Sequence, residues 1–134
     1  MTRYCMVTRM KILDTSFLVS LFVIEDENHP KAVELFEKNR EDEMLLLDTI
    51  LFETLTLLSR REGMAMARET YGMLVANSKL HIHYLTDKQR SEVLELFLAQ
   101  KGRLSTADIS VVHACKTALA APLTFDKDLL KQIG

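Results

Sequence analysis

Short, largely apolar runs alternate along this chain with longer stretches whose apolar residues recur at helical spacing. Met10–Leu13, Met44–Leu47, Leu80–Tyr84 and Leu123–Phe125 have the length and character of strands buried on both faces. Between them the spacing predicts helices over Thr15–Ile24, Pro30–Asn39 and Met64–Ala76. A further helix runs from Asp48 or Thr49 as cap to Arg61, and another from Thr86 or Asp87 to Gln100. The last two cover Ala107–Leu119, after Ser105-Thr106, and Asp126–Ile133. Pro30 suits a first helical turn, Gly63 separates two helices, and Gly102 is placed to close the helix that ends at Gln100. Strands alternating with helices imply an α/β fold: a short parallel β-sheet flanked by helices on both faces.

With 134 residues, 48% of them hydrophobic, the chain suffices for one domain with a proper core. There is no Gly/Ser-rich linker, low-complexity segment or internal repeat, so residues 10–134 are expected to be that domain. Residues 1–9 are expected to form an N-terminal extension outside it. The longest apolar stretch, Phe17–Ile24, is interrupted by Ser20 and far too short to span a membrane. Residues 1–9 also lack the apolar core of a signal peptide. Cys5 and Cys115 form neither a disulfide framework nor a zinc pattern, which fits a reducing, cytoplasmic setting. A net charge of −2 gives no general attraction to polyanions, so any nucleic-acid contact needs a local basic patch.

The chemistry lies in four acids placed beside or within apolar segments: Asp14 in KILDTSFLVSLF, Glu53 in LLLDTILFETLTLL, Asp108 in LSTADISVVHACKT and Asp126 in PLTFDKDLL. An unpaired charge next to buried surface must meet water, a partner or a metal. Ligands of open parallel sheets collect beyond the carboxyl ends of strands, where the strand order reverses, and these acids fall near strand ends or in first helical turns. Each also has a plainer role. Asp14 and Asp126 are placed to cap helices, and Ser105-x-x-Asp108 has capping-box spacing. Glu53 is harder to explain that way, because Thr49, Glu53, Thr56 and Arg60 make a narrow polar stripe on a mostly apolar helix. Four converging carboxylates repel one another, on the order of 4 kcal/mol per pair at about 4 Å and an effective dielectric near 20. A hard divalent cation, Mg²⁺ or Mn²⁺, offsets that repulsion.

In their order and spacing these segments resemble the PIN-domain ribonucleases, particularly the small single-domain toxins of VapC type. ILDTSFLV looks like the family's opening acidic motif, LFETLTLL its second, LSTADISVVHA its third and LTFDKDLL its fourth, a likeness running from Met10 to Gly134. His113 and Cys115 stand where alanines are commoner, and Leu129 where an aromatic is frequent. The resemblance implies a PIN-like, three-layer α/β/α fold and metal-assisted hydrolysis of RNA phosphodiesters. It makes Asp14, Glu53, Asp108 and Asp126 the catalytic and metal-holding set: Asp14 and Asp108 as direct ligands, Glu53 and Asp126 holding water or a second ion. Thr15, Ser16, Thr124, Arg60 and Arg103 are the candidates for substrate contact. Implied partners are an RNA substrate, a second copy in a homodimer, with Met64, Met66, Met73 and Leu74 as candidate surface, and an antitoxin protein.

The alternatives within the fold are a catalytically silent PIN-like domain that binds RNA or protein, and a housekeeping RNA-processing nuclease. A receiver-type signalling domain lacks the required acidic pair after strand one. A haloacid-dehalogenase-type phosphatase would need its Asp-x-Asp pair at the start, whereas FDKDL lies at the end.

Overall fold

The computed structural model describes residues 10–133; the expected extension over residues 1–9, with Cys5, lies outside them. Four strands alternate with seven helices: β1 Lys11–Leu13, α1 Thr15–Phe22, α2 His29–Lys38, β2 Met44–Leu47, α3 Asp48–Glu62, α4 Met64–Ala76, β3 Leu80–His83, α5 Asp87–Ala99, α6 Thr106–Ala118, β4 Ala121–Leu123 and α7 Lys127–Ile133. The sheet is parallel throughout, in the order β3-β2-β1-β4. From β1 the chain steps outward through β2 to β3, then crosses back so that β4 pairs on the other side of β1, Leu13 opposite Leu123. The strand order therefore reverses between β1 and β4, and their carboxyl ends flank the crevice where such sheets bind ligands.

Alternate residues of the strands feed two apolar layers, as the period-two pleat requires. Leu13 and Leu80 meet Phe17, Leu18, Phe36 and Leu74 of α1, α2 and α4, whereas Leu45 and Leu47 face α5 and α6 beside His83 and His113. The sandwich is the expected three-layer α/β/α arrangement, with Ile12, Leu13, Leu46 and Leu47 at its centre.

Local differences from expectation have local causes. α1 stops at Phe22, because Val23 turns extended while its N–H still bonds to the Val19 carbonyl. α3 begins at Asp48 itself, with no side-chain cap: the Asp48 carboxylate and the Thr49 hydroxyl are both used elsewhere. Gln100, not Gly102, closes α5, its side-chain amide bonding both the N–H and the carbonyl of Leu104. Gly63 does what a glycine at a helix joint is needed for, taking φ +97° between α3 and α4. β4 begins earlier than expected, at Ala121, and contains Pro122, which an edge strand tolerates because one side of its backbone has no ladder partner. Thr124 and Phe125 are consequently loop, not strand, and that places the Thr124 hydroxyl against Asp14.

Candidate active site

Asp14 directly follows β1, its backbone N–H donating to the Leu123 carbonyl of β4 at 3.1 Å. It is 2% exposed, and one of its oxygens is fully engaged. Oδ2 accepts from the Ser16 hydroxyl at 2.9 Å and the Thr124 hydroxyl at 2.6 Å, with a longer bond from the Ser16 backbone N–H. The two hydroxyls are fixed in turn: Phe125 N–H donates to Ser16 Oγ and Asp126 N–H to Thr124 Oγ1, both at 2.9 Å. Both hydroxyls lie within hydrogen-bond reach of Asp14 Oδ2, and they are 3.1 Å from each other. Ser16 and Thr124, expected as substrate contacts, clamp the carboxylate from the two strand ends, and Ser16 also lines the cleft.

The other oxygen of Asp14, Oδ1, is shut off from bulk water and has no hydrogen-bond partner. So is the neighbouring Thr15 hydroxyl, which lines the same cleft. Thr54 and Thr70 also bury unpartnered hydroxyls, but Asp14 alone in this group carries a charge. An ionised oxygen left this way is costly unless something positive meets it.

Asp108, Asp126 and Glu53 line the cleft with it. The capping box anticipated for Ser105-x-x-Asp108 forms: Asp108 N–H donates to Ser105 Oγ at 3.1 Å and Asp108 Oδ2 accepts from Ser105 N–H at 3.0 Å. The cap uses Oδ2 and so does not exclude a second role for the other oxygen. Burial pushes the Asp108 carboxyl above its ordinary pKa; the Ser105 N–H opposes this, and the negative charges of Asp14 and Asp126 add to it. Asp126 caps α7, Oδ1 accepting from Asp128 N–H at 2.9 Å and Leu129 N–H at 3.1 Å. Asp128 itself is exposed and outside the cleft. Glu53, half-buried, reaches the cleft from α3.

The polar stripe read from α3 is corrected. The Thr49 hydroxyl bonds to Ser110 of α6 at 2.7 Å, and the Thr56 hydroxyl donates back to the Phe52 carbonyl. The cleft instead follows the i, i+4 row Glu53–Leu57–Arg61, so Arg61 and not Arg60 lines it. Arg103 does not line it either. Asp26, Ser20 and Asn28 also stand at the cleft edge; Asp26 and Asn28 belong to the acidic segment EDENHP, and Ser20 is the polar residue that interrupts the apolar stretch Phe17–Ile24. Leu74, a candidate for a dimer surface, is core at 4% exposure, whereas Met64 and Met73 are exposed.

Among the described residues, no three His, Cys, Asp or Glu side chains are gathered tightly enough to hold a metal ion by themselves. A magnesium-type ion needs no such group, since it takes one or two carboxylates and keeps several waters. The all-oxygen donor set and the orphaned Asp14 Oδ1 fit such an ion.

The PIN-domain family model matches residues 11–134. The chain belongs to the PIN-domain family. No curated protein sequence matches it. Among solved structures, this PIN domain is similar to Mycobacterium tuberculosis VapC20, described as a sarcin-ricin loop cleaving toxin, with TM-score 0.81 and 20% identity over 90% of this chain and 93% of that one. It also resembles VapBC2 from Rickettsia felis, solved bound to a DNA fragment from its promoter, with TM-score 0.66, 15% identity and coverage of 92% of both chains. PAE2754 from Pyrobaculum aerophilum gives TM-score 0.64 and 18% identity over 94% of this chain and 80% of that one. At these identities the likeness is one of fold. No described helix is long and apolar enough to cross a membrane.

Proposed function

We propose that this PIN domain is a divalent-cation-dependent endoribonuclease and the toxin of a toxin–antitoxin pair. One observation carries the reading. Four acids from four separate segments line a single cleft at the β1/β4 switch point, and the most buried of them keeps an ionised oxygen without a partner. Buried polar atoms of structural groups are as a rule hydrogen-bonded, and Asp14 Oδ1 is an exception that a cation would resolve.

Asp14, whose Oδ1 has no partner, and Asp108, whose cap leaves one oxygen unused, would hold a Mg²⁺ or Mn²⁺ ion. Ser16 and Thr124 keep Asp14 in one rotamer, as supporting hydrogen bonds do for metal-holding carboxylates. Glu53 and Asp126 orient water in the cleft for attack on phosphorus. When bound, the ion would polarise a phosphoryl oxygen and help to activate the attacking water. The VapC20 description favours RNA as substrate, and VapBC2 favours an antitoxin partner. Exposed Met64, Met73 and Tyr71 on α4 offer apolar surface for a homodimer.

The test is cleavage of a panel of single-stranded and hairpin RNAs by purified protein with Mn²⁺, Mg²⁺ or EDTA. Mn²⁺ binding by the wild type and by Asp14→Asn is measured alongside. Cleavage that needs the cation, and Mn²⁺ binding that the substitution removes, support the proposal. A folded protein that leaves every RNA intact with either cation sinks it.

A further inference from the structure

Five carboxylates line the cleft, Asp14, Asp26, Glu53, Asp108 and Asp126, and one cation does, Arg61. A polyanionic strand approaching such a mouth is repelled everywhere except where positive charge is supplied. One divalent ion beside Asp14 offsets the repulsion at the phosphate being cut, but not at its neighbours. Arg61 lies eight residues beyond Glu53 on α3, about 12 Å along the helix axis, and lines the same cleft. Its guanidinium is uncommitted: Arg61 enters none of the ion pairs among the described residues, whereas Arg90 is held by Asp48 and Arg40 by Glu37.

Across the mouth, the α1–α2 turn holds Asp26 in a fixed place. Asp26 Oδ2 accepts from the Ser20 hydroxyl at 2.8 Å and the Asn28 N–H at 3.0 Å, and His29 Nδ1 ties the turn to the Ser20 carbonyl at 2.9 Å. These bonds keep the Asp26 carboxyl below its ordinary pKa, and the charge of Arg61 adds to the effect. Asp26 is thus a fixed negative post in the cleft that Arg61 also lines. Planar guanidinium groups bind phosphate oxygens through two parallel N–H bonds, a geometry lysine cannot supply.

We propose that Arg61 grips the RNA phosphate next to the one cleaved, and that Asp26 is a positioning residue that draws the guanidinium across the cleft mouth. The inference rests on the reading of the cleft as an RNA-cleaving site and adds the side chain that sets the strand's register in it.

The experiment is fluorescence anisotropy of a labelled single-stranded RNA with Mg²⁺, in an Asp108→Asn background that silences cleavage, between about 50 and 200 mM salt. Arg61→Gln is expected to weaken binding about 10-fold and to flatten the salt slope by about 0.7, one phosphate contact on a single strand. Arg60→Gln is expected to change neither. Asp26→Asn weakens binding less, and its effect disappears when Arg61 is already Gln, an outcome a merely structural Asp26 would not produce. RNA binding with an identical salt slope in the Arg61→Gln and Arg60→Gln proteins overturns this inference alone. No RNA binding by any of these proteins, all folded, overturns the nuclease reading and this inference with it.

Discussion

Two aspartates stand at equivalent places, one past β1 and one past β2, and each is 2% exposed. Asp48 is satisfied. Its Oδ1 accepts from Thr49 N–H at 3.0 Å and Leu85 N–H at 3.3 Å, and its Oδ2 takes an Nη2 hydrogen bond from Arg90 at 3.2 Å. It fastens the β2–α3 junction to the segment that leads into α5. Asp14 receives no cation from the described residues, and all its hydrogen bonds fall on one oxygen. Burial and position are alike in the two cases; the difference is whether the fold itself supplies the compensating charge. On the proposed reading, Asp48 stabilises the fold and Asp14 receives the cation.

The sharpest break of that comparison is a crossed pair of substitutions. Asp14→Asn is expected to cut cleavage by about 1,000-fold or more, at the upper end of losses from removing one charge-stabilising group. Its urea midpoint should equal or exceed that of the wild type, since an uncompensated buried charge is gone. Asp48→Ala should do the reverse. Two backbone N–H groups lose their acceptor, a loss of about 1–3 kcal/mol, while cleavage stays within a few-fold of wild type under conditions where the protein is folded. If Asp48→Ala abolishes cleavage in folded protein, or Asp14→Asn unfolds the chain, the distinction between the two acids is wrong.

A finer test removes only the clamp. Ser16→Ala and Thr124→Val each delete one of the two hydroxyls at Asp14 Oδ2. Groups that orient a metal-holding carboxylate typically matter by about 10- to 100-fold in affinity or activity, and a weakening of Mn²⁺ binding in that range is expected for each. Isothermal titration measures it directly. Wild-type Mn²⁺ affinity in both variants would mean that the hydroxyls serve only the β1–β4 junction.

Much of this was legible in the sequence. The strand–helix alternation followed from hydrophobic period, and the four acids stood out because a charge beside apolar residues must be accounted for. What the sequence hid was direction. Asp48 flanks an apolar strand just as Asp14 does, but its partner Arg90 is 42 positions away and no local pattern marks it. Heptad spacing from Glu53 selected Arg60, whereas the cleft runs along the inclined i, i+4 row and selects Arg61. Ser16 and Thr124 showed their type but not their duty, because the clamp forms between residues 108 apart only after β4 pairs with β1.

The buried position of Asp108 should also appear in stability. The folded-state pKa of Asp108 is raised by burial, with Asp14 and Asp126 adding to it. The folded protein therefore binds this proton more tightly than the unfolded chain. Between the ordinary aspartate value and the raised one, stability falls as pH increases, and the penalty is complete above the raised value. With EDTA present, Asp108→Asn should accordingly be more stable than wild type at neutral pH, and the advantage should vanish toward pH 3.8. Denaturation curves across that range decide it. A constant difference at every pH would show that the Asp108 carboxyl is not raised in the folded protein.

The smallest expected effect uses Cys115 as an internal gauge of the Asp14 charge. Burial in α6 pushes this thiol up to about 12, and the negative charge of Asp14 adds to the shift. A thiol so far above neutrality has almost no thiolate, the reactive form. In a Cys5→Ser background, Cys115 should therefore resist a disulfide reagent at pH 8 until urea unfolds the chain. Neutralising the nearby charge with Asp14→Asn should speed the native-state reaction slightly, by lowering the thiol's pKa; Asp48→Asn should leave the rate alone. Equal rates in these two variants would mean that burial alone protects Cys115 and that the Asp14 charge does not reach it.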